Sequence, residues 1–66
     1  MTPDEQTAYK HHVRRMTDDE LDVETREVVR QAREQGAALL IQFVYTEWLN
    51  RGKGVRFVKA YNQGVS

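Results

Sequence analysis

The 66-residue sequence contains no cysteine. This absence excludes disulfide bonds and metal sites built on thiolates. A chain of this length buries only ~60% of the surface that its unfolded form exposes, and small domains commonly gain stability from disulfides, metals or a partner chain. We therefore expect one domain, residues 1–66, stabilised as a homodimer.

Long hydrophobic runs are absent as well. No apolar run follows Met1, and the most apolar stretch, residues 37–49, is interrupted by Gln42, Thr46 and Glu47. A helix needs about 20 predominantly apolar residues to cross a bilayer, and a signal peptide needs an apolar run near the amino terminus. We expect a cytoplasmic protein without a signal peptide or membrane contact.

Neither sign of charge is in excess, because ten basic residues balance ten acidic ones. No global field therefore favours nucleic acid or a membrane surface. Along the chain, however, the charges are separated: residues 17–27 hold six acids and one arginine, whereas residues 50–66 hold four cations and no acid. Such separation suits antiparallel self-association or a basic end that contacts an anionic partner. The alternative is an ordinary solvated surface at each end.

Proline occurs once, at a position that favours the start of a helix. Thr2 and Glu5 have the spacing of a capping box, and Pro3 would occupy the first helical position, where no N–H is needed. Thr17 and Glu20 repeat the capping box. Met16 before this cap and Leu21 after it have the spacing of a hydrophobic staple. The sequence predicts a first helix over about residues 3–15 and a second from about residue 18.

Gly36 is the only weak point in the second predicted helix. A glycine inside a helix costs ~1 kcal/mol relative to alanine. Strong helix formers follow at residues 37–40 without a capping residue, so we expect one long helix over about 18–51, ended by Gly52. In the tail, residues 52–66, a lone strand would have no pairing partner, and we favour a short helix or irregular chain. The predicted fold class is all-α, a helical hairpin with a short first helix, a long second helix and this tail.

The long predicted helix carries apolar residues on two faces. One stripe contains Leu21, Thr25, Val28, Ala32, Gly36, Leu39 and Phe43, and a nearly opposite stripe contains Ala37, Ile41, Val44 and Trp48. Both faces must be covered. The first helix could cover one, and the tail or a second chain the other. We predict a partner or dimer interface at Ile41, Val44, Tyr45, Trp48 and Arg51; the alternative is that this cluster belongs to the core.

The tail combines cations with aromatic residues. It contains Lys53, Arg56, Phe57, Lys59 and Tyr61. Such residues can neutralise phosphates and stack on bases. Together with Arg51 the segment holds four cations, which would contact only a few phosphates. The order of helix, glycine and tail is not that of a helix-turn-helix. Nucleic-acid binding is therefore the secondary hypothesis for this segment.

No arrangement of residues predicts catalysis or metal binding. His11 and His12 are adjacent, so on a helix their rings point ~100° apart and do not converge on one ion. The acidic run at residues 18–22 lacks the glycine turn of a calcium loop, and no phosphate loop or nucleophile elbow is present. We expect no enzyme activity, cofactor or bound metal.

These features predict a non-catalytic protein–protein interaction module that regulates or inhibits a macromolecular partner. Its bulk properties suit a small phage or mobile-element accessory protein that binds a host factor. The alternative is a small dimeric nucleic-acid-binding transcriptional regulator that uses the basic tail, and a third hypothesis is a structural assembly subunit. Salt distinguishes the first two, because phosphate binding weakens steeply with ionic strength.

Overall fold

The computed structural model describes residues 2–36 and 38–65, and this part of the chain forms four helices and no strand. Helix α1 spans Pro3–Arg14, α2 Asp18–Gln35, α3 Leu39–Asn50 and α4 Gly54–Val65. The predicted all-α class is confirmed. The predicted hairpin of two helices is wrong in its helix count.

The first two helices begin at the positions that their capping residues predict. The Glu5 amide donates to Thr2 Oγ1 at 3.2 Å, and Pro3 follows at the first helical position. At α2 the capping box is complete: the Glu20 amide donates to Thr17 Oγ1 at 3.2 Å, and the Thr17 amide donates to Glu20 Oε1 at 2.9 Å. Each bond satisfies an amide that has no partner within the helix.

The predicted continuous helix over 18–51 is wrong, because α2 ends at Gly36. This glycine has φ 71°, a left-handed conformation, and its amide donates to the Ala32 carbonyl oxygen at 2.8 Å. Glycine adopts this conformation without the steric penalty of a β-carbon, so the chain can turn here without any capping side chain. The chain resumes as α3 after Ala38, which makes no side-chain cap bond.

The predicted helix end at Gly52 is confirmed. Gly52 has φ 70°, its amide donates to the Leu49 carbonyl oxygen, and the Lys53 amide donates to that of Trp48, both at 2.9 Å. These two bonds form a Schellman motif. The tail then forms helix α4, which confirms the preference for a helix over a strand.

The break at Gly36 brings the two predicted apolar stripes together in one core. Leu21 of the first stripe packs with Val44 and Trp48 of the second and with Val13 of α1. Helix α4 packs mainly on α2, α1 packs on α3, and α3 also contacts α2 and α4. One chain therefore covers the surfaces for which a straight helix would have needed a second chain. An uncovered apolar face is therefore no longer a reason to expect a dimer, and dimerisation stays a prediction.

No helix in the described part of the chain combines the length and apolar character that crossing a membrane requires.

Candidate functional site

The predicted interface cluster on α3 divides into buried and exposed residues. Val44 and Trp48 have no exposed surface, and Trp48 Nε1 donates to Thr25 Oγ1 at 3.0 Å. In the single chain these two side chains belong to the core and cannot reach a partner without opening it. Ile41 is half-buried, and Tyr45 is exposed.

Arg51, the fifth residue of that predicted interface, is enclosed by the fold. Its Nη1 donates to Asp18 Oδ1 at 2.9 Å and its Nε donates to Glu47 Oε2 at 2.8 Å. Its Nη2 donates to the carbonyl oxygens of Val13 and Met16 at 3.0 and 2.8 Å. The guanidinium therefore ties the α1–α2 connection to the end of α3, which is a structural role.

The cations of the tail pair with acids of α2. Lys53 Nζ donates to Asp18 Oδ2, and Arg56 lies 3.6–3.9 Å from the carboxylates of Asp18, Asp19 and Asp22. Hydrogen bonds from Lys53 and Arg51 hold the pKa of Asp18 below its usual value. Within the described residues, Lys59 is the one tail cation without an ion pair. The acidic and basic segments thus meet within one chain.

A group of exposed apolar side chains lies on α3 and α4. Its members are Tyr45, Leu49, Phe57, Val58 and Tyr61, which we call the aromatic face. Phe57 is half-buried at its centre, with ring centroids 4.8 Å from Tyr45 and 5.9 Å from Tyr61. The other four side chains are 40–54% exposed. None of the five carries an ionisable acid or base other than the two phenols.

Three members of the aromatic face were predicted as site residues from the sequence, and two were not. Tyr45, Phe57 and Tyr61 were predicted, but as parts of two separate sites. Leu49 and Val58 were missed, although Leu49 follows Tyr45 by four residues and so shares its helix face. The Schellman turn between α3 and α4 joins the two predicted sites into one surface.

A second surface feature is a groove between α1 and α3 with a volume of about 400 Å³. It is lined by Lys10, Val13, Arg14, Gln42, Phe43, Thr46, Glu47 and Asn50. The Lys10 Nζ lies 5.4 Å from the centroid of the Phe43 ring. Sequence reasoning missed this groove. The regular spacing of Gln42, Thr46 and Asn50 in an otherwise apolar helix was the available signal.

His11 and His12 lie on the exposed surface of α1. Within the described residues, no three histidine, aspartate, glutamate or cysteine side chains are grouped as metal ligands would be. Nearby, the Tyr9 hydroxyl donates to Glu24 Oε2 at 2.6 Å and so connects α1 to α2. Burial, together with this carboxylate, raises the pKa of Tyr9 far above its usual value.

Comparison of the chain with protein-family models, with curated proteins and with solved structures gives no significant match. The aromatic face and the α1–α3 groove are the two surfaces from which a function can be inferred.

Proposed function

We propose that this protein is a non-catalytic interaction module that regulates a partner protein by binding it through the aromatic face. The observation that supports this proposal is the exposure of Tyr45, Leu49, Val58 and Tyr61 on the consecutive helices α3 and α4, beside a closed core. Contiguous apolar surface rimmed by polar residues is typical of protein-binding sites. Tyrosine is also enriched among the residues that dominate binding energy.

The aromatic face is held by a rigid support. Tyr45 and Leu49 belong to the same helix as Val44 and Trp48, which are completely buried. Phe57 packs against the core cluster from α4. A partner would therefore meet a preformed surface and would not have to order it, which favours affinity.

The alternative, a nucleic-acid regulator using the basic tail, has less support. Arg51 donates to two carboxylates and three carbonyl oxygens within the fold, and Lys53 and Arg56 face the acids of α2. Phosphates would have to compete with those carboxylates for the same cations. Among the tail cations in the described residues, only Lys59 lacks such a competitor.

Two matched valine substitutions test the proposal. Val58 is 54% exposed on the aromatic face, whereas Val23 is 57% exposed on α2. The wild type, V58E and V23E would be used as affinity baits in an extract of the source cells, followed by mass spectrometry. We expect V58E to lose partners that the wild type and V23E both retain, with retention unchanged between low and high salt.

Circular dichroism on the three baits controls for folding. Both glutamates replace exposed valines, so we expect equal helicity. Partners that V58E retains, or that V23E loses equally, would contradict a role for the aromatic face. Retention that disappears steeply with salt would favour the nucleic-acid alternative.

A further inference from the structure

Part of the positive charge without an ion pair lies on α1. Most tail cations face acids of α2, but Lys10 and Arg14 form no ion pair with any described residue. They are separated by four positions and therefore lie on the same face of α1. Both line the groove between α1 and α3.

The opposite wall of the groove presents uncharged hydrogen-bonding groups. Gln42, Thr46 and Asn50 follow one another at intervals of four along α3, which places them in a row ~6 Å apart at the helical rise of ~1.5 Å per residue. Their side chains are exposed and form no hydrogen bond with the described residues. Amide and hydroxyl groups in such a row can pair with the backbone of an extended peptide.

The floor of the groove is apolar apart from one carboxylate. Val13 is buried and Phe43 is half-buried, with the Phe43 ring 5.9 Å from that of Tyr9. Glu47 also lines the groove; it is 8% exposed, and its Oε2 accepts from Arg51. The groove therefore offers cations on one wall, neutral polar groups on the other and an apolar patch between them.

We propose that this groove binds an extended acidic segment of a partner protein. Alternate residues of an extended chain are ~6.6 Å apart, which matches the ~6 Å between side chains one helical turn apart at Lys10 and Arg14. Two carboxylates at alternate positions would pair with these cations. An apolar side chain beside them would contact Phe43, and the segment's backbone would bond to the row on α3.

The charge of the groove favours a peptide over a nucleic acid. Two cations neutralise few phosphates, and phosphate contacts supply most of the affinity for nucleic acids. Glu47 in the floor can accept a hydrogen bond from a peptide N–H, a donor that a phosphate group lacks. This inference is independent of the aromatic face, which lies on a different surface of α3.

Amide chemical-shift titration with a synthetic probe tests the inference. The probe is an acetylated and amidated peptide of alternating glutamate and phenylalanine, Glu-Phe-Glu-Phe-Glu, and its control replaces each glutamate by glutamine. We expect saturable shifts at Arg14, Gln42 and Thr46 for the acidic peptide. Charge-assisted hydrogen bonds are about twice as strong as neutral ones, so we expect binding of the glutamine peptide to be at least about tenfold weaker.

A neighbouring arginine provides the matched variant. Arg14 lines the groove, whereas Arg15 is exposed and does not line it. R14E and R15E change the net charge equally, so long-range effects cancel in the comparison. We expect R14E to weaken the acidic peptide at least about tenfold and R15E by less than about twofold, while V58E binds like the wild type. R14Q keeps the test interpretable if R14E loses helicity.

Several outcomes would overturn the inference. They are the absence of saturable shifts, shifts that map to the aromatic face or Lys59, and equal effects of R14E and R15E. Tighter binding of a thymidine oligonucleotide at the same amides would assign the groove to phosphate chemistry instead. Failure here with intact V58E-sensitive partner capture would leave the proposed function standing.

Discussion

Thr25 places a hydroxyl in the middle of the apolar core. Its Oγ1 donates to the Leu21 carbonyl oxygen at 2.7 Å and accepts from Trp48 Nε1 at 3.0 Å. Both side chains are completely buried. A buried donor without an acceptor costs about 1–3 kcal/mol, so this hydroxyl stabilises the position of the indole.

We expect Thr25→Val to lower the free energy of unfolding by about 1–3 kcal/mol, because valine keeps the shape but leaves Trp48 Nε1 without its acceptor. Urea unfolding followed by Trp48 fluorescence would measure this loss. Thr25→Ser is the control, since it keeps the hydroxyl and removes only a methyl group. Equal losses in both variants would mean that packing of the methyl group, and not the hydrogen bond, stabilises the site.

Asp18 forms ion pairs with three cations from the carboxyl-terminal part of the chain. It accepts from Lys53 and Arg51, and Arg56 lies 3.8 Å away. The first two partners lower the pKa of Asp18 in the folded state. A carboxylate of this kind stabilises the fold above its unfolded pKa, and that stabilisation is lost as the pH falls through the folded value.

We therefore expect the melting temperature of the wild type to fall as the pH drops below about 4, the ordinary pKa of aspartate. Asp18→Asn should show a smaller fall over that range because asparagine does not titrate. Asp19→Asn is the matched control, since Asp19 is the adjacent residue and is 97% exposed. Identical pH profiles for Asp18→Asn and the wild type would contradict this role for Asp18.

At the scale of elements, α4 packs on α2 through small residues. Ala60 is completely buried, and a β-carbon on Gly64 would lie 2.9 Å from Val29 Cβ and 3.0 Å from the Arg26 carbonyl oxygen. The two helices can approach this closely only because position 64 has no side chain. Neither neighbouring atom belongs to the flexible end of a side chain, so one helix would have to shift.

We expect Gly64→Ala to destabilise the protein by about 1–3 kcal/mol, the usual cost of overpacking, despite the better helix propensity of alanine. Gly54→Ala is the control in the same helix, because its β-carbon would meet only Leu49 Cδ2, at 3.3 Å. We expect that change to be nearly neutral. Chemical denaturation would measure both, and a neutral Gly64→Ala would contradict the close crossing.

The sequence predicted the ends of these elements better than their arrangement. Capping residues act on atoms within four positions, so Thr2, Thr17 and Gly52 could be interpreted locally. Gly36 was interpreted wrongly, because a left-handed helix end requires only glycine and leaves no other sequence signal. Whether the helix continues through Gly36 or ends there depends on the packing of Val44 and Trp48 against Leu21. This is a contact between distant parts of the chain.

The two candidate surfaces also depend on contacts between distant parts of the chain, which local sequence patterns do not predict. Tyr45 and Phe57 were predicted as members of separate sites because the α3–α4 turn that joins them is a property of the fold. The acidic segment 17–27 and the basic segment 50–66 do pair with each other as opposite charges would, but they do so within one chain, at Asp18. No pattern in the sequence specified which cations would remain unpaired on α1.

At the scale of the whole molecule, the core is closed by one chain. Val13, Leu21, Val44 and Trp48 are contributed by three of the four helices and have at most 1% of their surface exposed. The radius of gyration is 11.1 Å. Self-association through the aromatic face would therefore add to a folded monomer and would not be required to form it.

We expect helicity to stay constant on dilution from about 100 to 1 μM, because the monomer folds without a partner. The melting temperature should change with concentration only to the extent that folded chains also associate. Circular dichroism and sedimentation equilibrium on the same samples would measure this. V58E should keep full helicity whatever its mass. Loss of helicity in parallel with a fall in mass would identify an obligate dimer.

The enclosed guanidinium of Arg51 also has a consequence for the order of folding. It donates to the carbonyl oxygens of Val13, in the last turn of α1, and Met16, in the α1–α2 connection, from 38 and 35 positions later in the chain. An isolated helix of 12 residues is marginal in water, so α1 gains its terminal hydrogen bonds only when α3 has docked. In pulse-labelling hydrogen exchange during refolding we expect the amides of α1 to become protected together with those of α3, and never before them.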